Sequence, residues 1–156
     1  MDYLIYLPIL IIIGAMVLVY VRRNDPVDLP LVSQPVMTAH ELALIEKLAE
    51  AAGSRGLHVL PQVSMGAFLT VKPGTDKSTR ASLLNKILKK RSDFILVDEK
   101  SRVQLIVELD DRSHRASKDE ARDQLAAAAG IRTVRLRNAR ALSIQDIQRA
   151  ISTVPA

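Results

Sequence analysis

The chain has 156 residues, enough for one small domain and an attachment, and it carries a formal net charge of +5. It contains no cysteine, which excludes a disulfide framework and a thiolate metal site. Aromatic residues make up 3% of the sequence, too few to favour a platform that stacks single-stranded bases, whereas the excess of positive charge favours polyanionic partners such as nucleic acid or anionic lipid.

The N-terminal segment Tyr3–Val21 is 19 residues long and holds no charged side chain. As a helix that rises about 1.5 Å per residue, it nearly matches the hydrocarbon thickness of a bilayer. A cleaved signal peptide is the competing interpretation, but the segment lacks a basic start and a small-residue cleavage site. Arg22 and Arg23 follow directly, and such basic flanks stay in the cytoplasm. The sequence therefore predicts a single-pass transmembrane anchor over residues 1–23, with the N-terminus outside and the rest cytoplasmic.

A linker and one globular domain are predicted to follow the anchor. Residues 24–36 contain three prolines and no helical period, which indicates a short extended linker. Residues 37–156 hold 20 basic and 14 acidic residues, a net charge of +6. The domain therefore carries the positive charge that would attract a polyanion.

The domain shows alternating helix and strand patterns. In chain order they are a helix over 38–52, a strand over 56–63, a short helix over 65–71, a helix over 82–90, strands over 93–98 and 103–109, a helix over 117–129, a strand over 132–137 and a helix over 143–154. Thr38 and Glu41 are spaced as a capping box, and Leu42, Ile45 and Leu48 mark the predicted buried face of the first helix. The fold class is predicted as α/β, a mixed sheet of about four strands flanked by helices.

Three carboxylates lie where two of these strands come together. Asp93 opens one strand, and Glu108 and Asp110 close its antiparallel hairpin partner, so the three are expected at one end of the sheet. Glu108 and Asp110 are two residues apart and share a face. Carboxylates so placed raise one another's pKa, and a divalent cation such as Mg²⁺ or Mn²⁺ would cancel the repulsion. A solvated turn is the alternative.

Basic residues flank these carboxylates in the sequence. The candidates for contact with nucleic-acid phosphates are Lys86, Lys89, Lys90, Arg112, Arg115, Lys118 and Arg122. Cations beside a carboxylate site suit a nuclease, because the cations bind the phosphates of the strand and the carboxylates bind a metal. For the lysine run alone, a solvated face or proximity to the membrane explains the charges equally well.

Taken together, these motifs resemble the PD-(D/E)xK, restriction-endonuclease-like superfamily, near the very-short-patch-repair-like endonucleases, and a bacterial domain family of unknown function. The ordered motifs that carry the resemblance are LLNKI (83–87), DF (93–94), VELDDRSH (107–114) and ARDQLAAAAGI (121–131). The resemblance covers roughly Thr38 to Leu136. It implies a restriction-endonuclease-like central sheet and a metal-dependent hydrolase of phosphodiesters.

The resemblance also implies roles for single residues. Asp93 and Glu108 take the place of metal ligands, and Glu41 matches a first-helix glutamate that some members add to the site, although its capping role explains it equally well. Asp110 stands where the superfamily has lysine. His114 is the candidate to replace that catalytic group, with Arg112 and Lys118 as alternatives, while a histidine that orients a turn is nearly as good an explanation. Arg122 and Asp123 would brace the site, or form a surface ion pair.

Three functions follow from these observations. The first is a membrane-anchored, divalent-metal-dependent nuclease-like domain that hydrolyses DNA or RNA, with Asp93, Glu108, Asp110 and His114 as catalytic residues. The second is a catalytically inactive module of the same fold that binds nucleic acid or a protein at the membrane, which the missing lysine favours. The third is a scaffold whose basic face lies on anionic lipid.

Overall fold

The structure, a computed structural model, describes residues 6–23, 29–110 and 116–152. The chain divides into two units, one that ends at Gln34 and one that begins at Pro35. In the first unit, helix α1 spans Tyr6–Arg23, and its described side chains are exposed. Within the described part of the chain, no helix combines the length and apolarity needed to cross a bilayer.

The second unit contains four helices, four strands and a 3-10 turn in the described ranges. In chain order they are α2 (Ala39–Gly53), β1 (His58–Ser64), the 3-10 turn (Met65–Ala67), α3 (Lys77–Leu88), β2 (Arg91–Val97), β3 (Val103–Asp110), α4 (Ala116–Ala128), β4 (Arg132–Arg137) and α5 (Ile144–Ile151). The predicted α/β class is confirmed, since the strands form one mixed four-stranded sheet.

The sheet has the order β1-β2-β3-β4, so that β2 and β3 are central and β1 and β4 are the edges. Strands β1, β2 and β3 pair antiparallel, which confirms the predicted hairpin between β2 and β3. β4 pairs parallel with β3, because α4 carries the chain back between them. This topology brings the C-terminal ends of β3 and β4 to the same end of the sheet.

Helices cover both faces of the sheet and create two core clusters. The first cluster lies between the sheet and the helices α2 and α5, and its members are Leu44, Leu48, Ala51, Ala52, Leu57, Phe94, Leu96, Leu105, Val107, Val134, Leu136, Ala139, Ile147 and Ile151. The second lies on the face of α3 and α4, and its members are Met65, Leu69, Val71, Ile87, Ile95, Val97, Ile106 and Ala126. Side chains of a strand alternate between these clusters, as the period of two requires.

Helix α2 begins where the sequence predicted it. Thr38 is its N-cap, Thr38 Oγ1 accepts from the Glu41 backbone N–H at 3.3 Å, and Glu41 Oε2 accepts from the Thr38 N–H at 2.6 Å, which confirms the capping box. The predicted face was wrong by a fraction of a turn, because Leu42 is 60% exposed. Leu48 is buried as predicted, Leu44 is buried in place of Leu42, and Glu41 shares their face.

Strand β1 changes face half-way along its length. Val59 packs against the first cluster and Val63 against the second, although residues four apart in a regular strand share a face. Gln62, which lies between them, has a φ of 54°, in the left-handed region. The backbone at Gln62 therefore redirects the rest of the strand.

Candidate functional site

Asp93 and Glu108 face each other on the two central strands. Phe94 pairs with Val107, and the same antiparallel register places Asp93 opposite Glu108 one residue further along. Both acids lie on the face of the second core cluster, since Ile95 and Ile106 belong to it. Asp93 Oδ2 accepts a hydrogen bond from the Leu109 N–H at 2.9 Å, and this bond fixes the carboxylate across the strand pair.

The Glu108 carboxyl is removed from water. Its exposed fraction is 2%, and among the described residues its close contact is an ion pair between its Oε2 and Arg122. Burial, and after it the charge of Asp93, raise the pKa of Glu108 from 4.5 to about 8. Arg122 and Arg135 act in the opposite direction without cancelling the effect. Raised pKa values of closely placed acids were expected from the sequence, but burial is the larger cause.

Arg122 reaches Glu108 from helix α4. Its Nη1 lies 2.6 Å from Glu108 Oε2 and donates a hydrogen bond to the Arg91 carbonyl at 3.1 Å. The Arg122 side chain is 18% exposed, so its guanidinium is directed into the site and not toward solvent. Of the sequence-based interpretations of Arg122, bracing of the site is the one that its contacts fit.

Strand β4 adds two arginines that the sequence analysis did not assign to the site. In the parallel register, Arg135 lies beside Glu108 and Arg137 beside Asp110. Arg137 Nε donates to Asp110 Oδ2 at 2.9 Å, and Arg135 Nη2 donates to Asp123 Oδ2 at 2.7 Å. The alternation of apolar and basic residues along β4 could have predicted that both arginines share the face of the carboxylates. Their acidic partners could not be predicted, because they depend on which strand β4 pairs with.

Glu41 is buried among structural contacts. Besides capping α2, its Oε1 accepts from Gln62 Nε2 at 2.5 Å, so both carboxylate oxygens hold backbone and side-chain donors. These contacts support the capping interpretation of Glu41. They do not bring it onto the face that Asp93 and Glu108 share.

The remaining candidates divide by where they lie. Lys86 and Lys89 are exposed at the end of α3, directly before β2 and Asp93, and Lys90 is half-buried there. Three candidates, Arg112, His114 and Arg115, lie outside the described residues. The same holds for the side chain of Lys118.

Among the cavities lined by described residues, two lie at opposite ends of the sheet. The larger, of about 440 Å³, is next to the turn between β2 and β3 and the start of β1, far along the strands from Glu108. The smaller, of about 90 Å³, lies beside Asp110 and is also lined by His40, Asn138 and Arg140. The sequence analysis did not assign His40 to the site, and only the folded chain brings it to Asp110.

The carboxylates form a pair and not a larger cluster. Within residues 6–23, 29–110 and 116–152, no group of three or more histidine, aspartate or glutamate side chains is arranged to hold a metal ion. Asp110 is turned to Arg137, and Glu41 to its own contacts. The described site is therefore two acids, Asp93 and Glu108, with arginines around them.

Residues 33–154 match the family model described as "Protein of unknown function (DUF2726)". The chain belongs to this family. No curated protein and no solved structure is detectably similar to it. The DUF2726 match covers nearly the whole of the unit that begins at Pro35 and includes every residue of the site above. The expected membership in a family of unknown function is confirmed, and the placement in the PD-(D/E)xK superfamily stays a prediction.

Proposed function

We propose that the DUF2726 domain is a divalent-cation-dependent phosphodiesterase of the nuclease type, which acts on DNA or RNA. One observation carries the proposal: Glu108 is buried opposite Asp93, so that two carboxylates face each other across the central strands with Glu108 removed from water. Burial of an acid beside a second acid costs free energy that a fold without a use for the pair would avoid. Strongly perturbed acids of this kind are concentrated at functional sites.

The two acids fit a hard divalent cation. Mg²⁺ needs only one or two protein carboxylates, because waters and substrate phosphate oxygens complete its shell. Asp93 and Glu108 would hold the ion. Asp110 lies two residues after Glu108 on β3, on the same face of the strand. When bound, such an ion would polarise the phosphodiester and lower the pKa of an attacking water.

The other residues of the site position these acids and supply positive charge. The Leu109 N–H orients Asp93, and Arg122, itself held by the Arg91 carbonyl, keeps Glu108 in place. Asp110 occupies the position of the superfamily lysine, and Arg137, 81% exposed, is the described cation beside it. An exposed guanidinium at the edge of the sheet can bind the phosphate of an incoming strand.

The fold supports the superfamily placement within this proposal. The mixed sheet carries its acids at one end of the central strands, and helices cover both faces. This is the arrangement that the resemblance of the sequence motifs implies. Fold and motif order alone do not carry an activity, so the acids have to be tested directly.

The test uses the full chain, purified in a mild nonionic detergent, beside Asp93→Asn, Glu108→Gln and the control Glu46→Gln. Glu46 is an exposed acid of α2 away from the site, so its variant controls for the loss of one charge. Supercoiled plasmid, linear duplex, single-stranded DNA and RNA are incubated with Mg²⁺, Mn²⁺ or EDTA. We expect metal-dependent cleavage by the wild type and the control, and a loss of at least about 100-fold in the two site variants. Folded wild type that cleaves nothing, or Glu108→Gln that still cleaves, overturns the proposal.

A catalytically inactive binding module is the second candidate. It is favoured by Asp110 in place of the lysine and by Arg122, which already supplies a positive charge 2.6 Å from Glu108. In this case the acids and arginines are internal partners, and the basic surface binds nucleic acid or a protein without hydrolysis. Retention of an oligonucleotide by the wild type, with no cleavage under any metal, supports this candidate over the first.

We also propose that the apolar segment at residues 3–21 anchors the domain to a membrane, with the N-terminus outside and the domain in the cytoplasm. Residues 3–5 lie outside the described part, and in α1 the apolar side chains from Tyr6 to Val21 are exposed. An uncharged, exposed run followed by two arginines supports this arrangement.

A further inference from the structure

The cavity of about 90 Å³ lies where three parts of the chain meet. His40 comes from the first turn of α2, Leu109 and Asp110 end β3, and Asn138, Ala139 and Arg140 form the turn after β4. Because β3 and β4 are parallel, the C-terminal ends of both strands lie at this end of the sheet. The cavity has room for about three water molecules, or for one tetrahedral oxyanion.

The wall formed by the turn after β4 is fixed by its own bonds. Asn138 has a φ of 56°, and its carbonyl accepts from the Ala141 N–H at 2.9 Å. Lys47 Nζ donates to the carbonyl of Arg140 at 3.1 Å and to that of Leu142 at 2.9 Å. Ala139 is buried in the first core cluster. The side chains of the turn therefore project from a backbone that needs little reorganisation when a ligand binds.

The charges around the cavity favour an anion. Asp110 is the one acid among the six lining residues, and its ion pair with Arg137 at 2.9 Å neutralises it. Arg140 adds a cation, His40 an imidazole, and Asn138 an amide that can donate hydrogen bonds. Guanidinium, imidazole and amide groups are the donors that bind phosphate oxygens in proteins.

The cavity reaches the carboxylate pair through Asp110, whereas its residues Leu109 and Ala139 pack on the opposite face, with the first core cluster. Asp110 is two residues beyond Glu108, a distance of about 7 Å along a strand, and both side chains share a face. A nucleic-acid strand whose scissile phosphate lies at Asp93 and Glu108 would place a neighbouring phosphate toward this cavity.

We propose that His40, Asn138 and Arg140 form a phosphate subsite that binds one backbone phosphate of the nucleic-acid substrate, next to the one that is cleaved. The proposal rests on the proposed function and deepens it, since it gives the site a second contact with the strand. It assigns binding to β4 and its turn, in addition to the basic residues around β2 and α4 that the sequence singled out.

The experiment measures binding of the full chain to a short fluorescein-labelled oligonucleotide in EDTA, so that no cleavage is required. The variants are Arg140→Gln and His40→Gln, and the matched control is Arg132→Gln, an exposed arginine at the other end of β4. Arg140→Gln should keep the fold, because Lys47 holds the carbonyl of Arg140 and not its side chain. The thermal midpoint of each variant checks this.

Loss of the Arg140 contact should weaken binding about tenfold and reduce the slope of log K against log salt by about 1, as one lost phosphate contact does. His40→Gln should also weaken binding, and Arg132→Gln should stay within about twofold of the wild type. Equal losses in Arg140→Gln and Arg132→Gln would mean diffuse attraction and overturn the subsite. No binding by the folded wild type, or no change in Arg140→Gln, overturns it as well.

A cleavage assay and a vesicle-binding assay separate the phosphate subsite from the proposed hydrolysis and from lipid binding. If the wild type cleaves with Mg²⁺ while Arg140→Gln binds normally, the subsite fails and the proposed function survives. If folded wild type does not cleave but Arg140→Gln loses binding, the proposed hydrolysis fails and the phosphate subsite survives. Binding that depends on Arg140 with phosphatidylserine vesicles, but not with the oligonucleotide, overturns nucleic acid as the ligand.

Discussion

Replacement of Glu108 by glutamine should change how the stability of the domain depends on pH. In the unfolded chain this acid ionises near 4.5, whereas the fold raises its pKa to about 8. Between these values the folded state keeps a proton that the unfolded state has lost, so the free energy of unfolding falls as pH rises. Below 4.5 both states are protonated and above 8 both are ionised, so the dependence levels off on either side.

The magnitude follows from the size of the shift. Each pKa unit corresponds to about 1.4 kcal/mol, so the full effect is on the order of 5 kcal/mol, and the part between pH 5 and pH 8 is about 3.5 kcal/mol. Glutamine has the shape of the protonated acid but does not titrate. Relative to the wild type, Glu108→Gln should therefore gain about 3.5 kcal/mol in stability between pH 5 and pH 8.

Urea unfolding of the full chain at pH 5, 6, 7 and 8, without divalent cations, measures this difference. Glu46→Gln is the control, because it removes one exposed acid of α2 away from the site and should leave the difference from the wild type flat with pH. A difference between Glu108→Gln and the wild type that is equally flat would refute the reasoning that burial keeps the Glu108 proton on at neutral pH.

Two other predictions concern α4 and the N-terminal segment. Arg122→Gln removes the charge beside Glu108 and the hydrogen bond to the Arg91 carbonyl. It should lower the free energy of unfolding by about 2–4 kcal/mol at pH 8, and by less at pH 5, where Glu108 is neutral. Equal losses in urea unfolding at both pH values would contradict this. Because the chain has no cysteine, Glu50→Cys gives a single thiol in the domain, and a membrane-impermeant maleimide should label it only after the cells are lysed. Labelling in intact cells would contradict the cytoplasmic orientation, and release of the chain by alkaline carbonate would contradict the anchor.

Much of the architecture could be predicted because local patterns determine it. Alternation in β4 and the apolar runs of β2 and β3 gave the strands, and the five-residue link between the latter two gave the antiparallel hairpin. Thr38 and Glu41 gave the start of α2 because a capping box is a contact between residues three apart. Such features need no knowledge of the rest of the fold.

Helix boundaries and faces were less predictable where tertiary packing decides them. Helix α3 begins at Lys77, before the predicted start at residue 82, because Asp76 caps it by accepting from the Thr79 N–H at 3.0 Å. Leu88, an apolar residue inside the predicted helix over 82–90, is 62% exposed at the last position of α3. Helix propensity and the apolar period of a sequence do not determine where a helix ends or whether its end residues are buried. The packing of the helix against the neighbouring sheet determines which face is covered.

The candidate site was predictable in part for the same reason. The facing of Asp93 and Glu108 follows from a hairpin register that the sequence sets. The partners of the acids come from further along the chain: Arg137 meets Asp110 only because β4 pairs parallel with β3, and His40 reaches the same edge only because α2 covers that end of the sheet. Contacts between elements far apart in sequence leave no local pattern, so a single sequence did not reveal them.

The break in β1 at Gln62 affects how readily the folded domain pairs with strands of other molecules. β1 is an edge strand, and an edge that offers an uninterrupted row of backbone groups invites another molecule to add a strand and start an aggregate. Pro61 has no N–H to offer, and the left-handed residue after it turns the backbone away from a regular ladder. The middle of this edge is therefore a poor template for intermolecular pairing. The break thus lowers the tendency of the folded domain to add a strand from another chain at this edge.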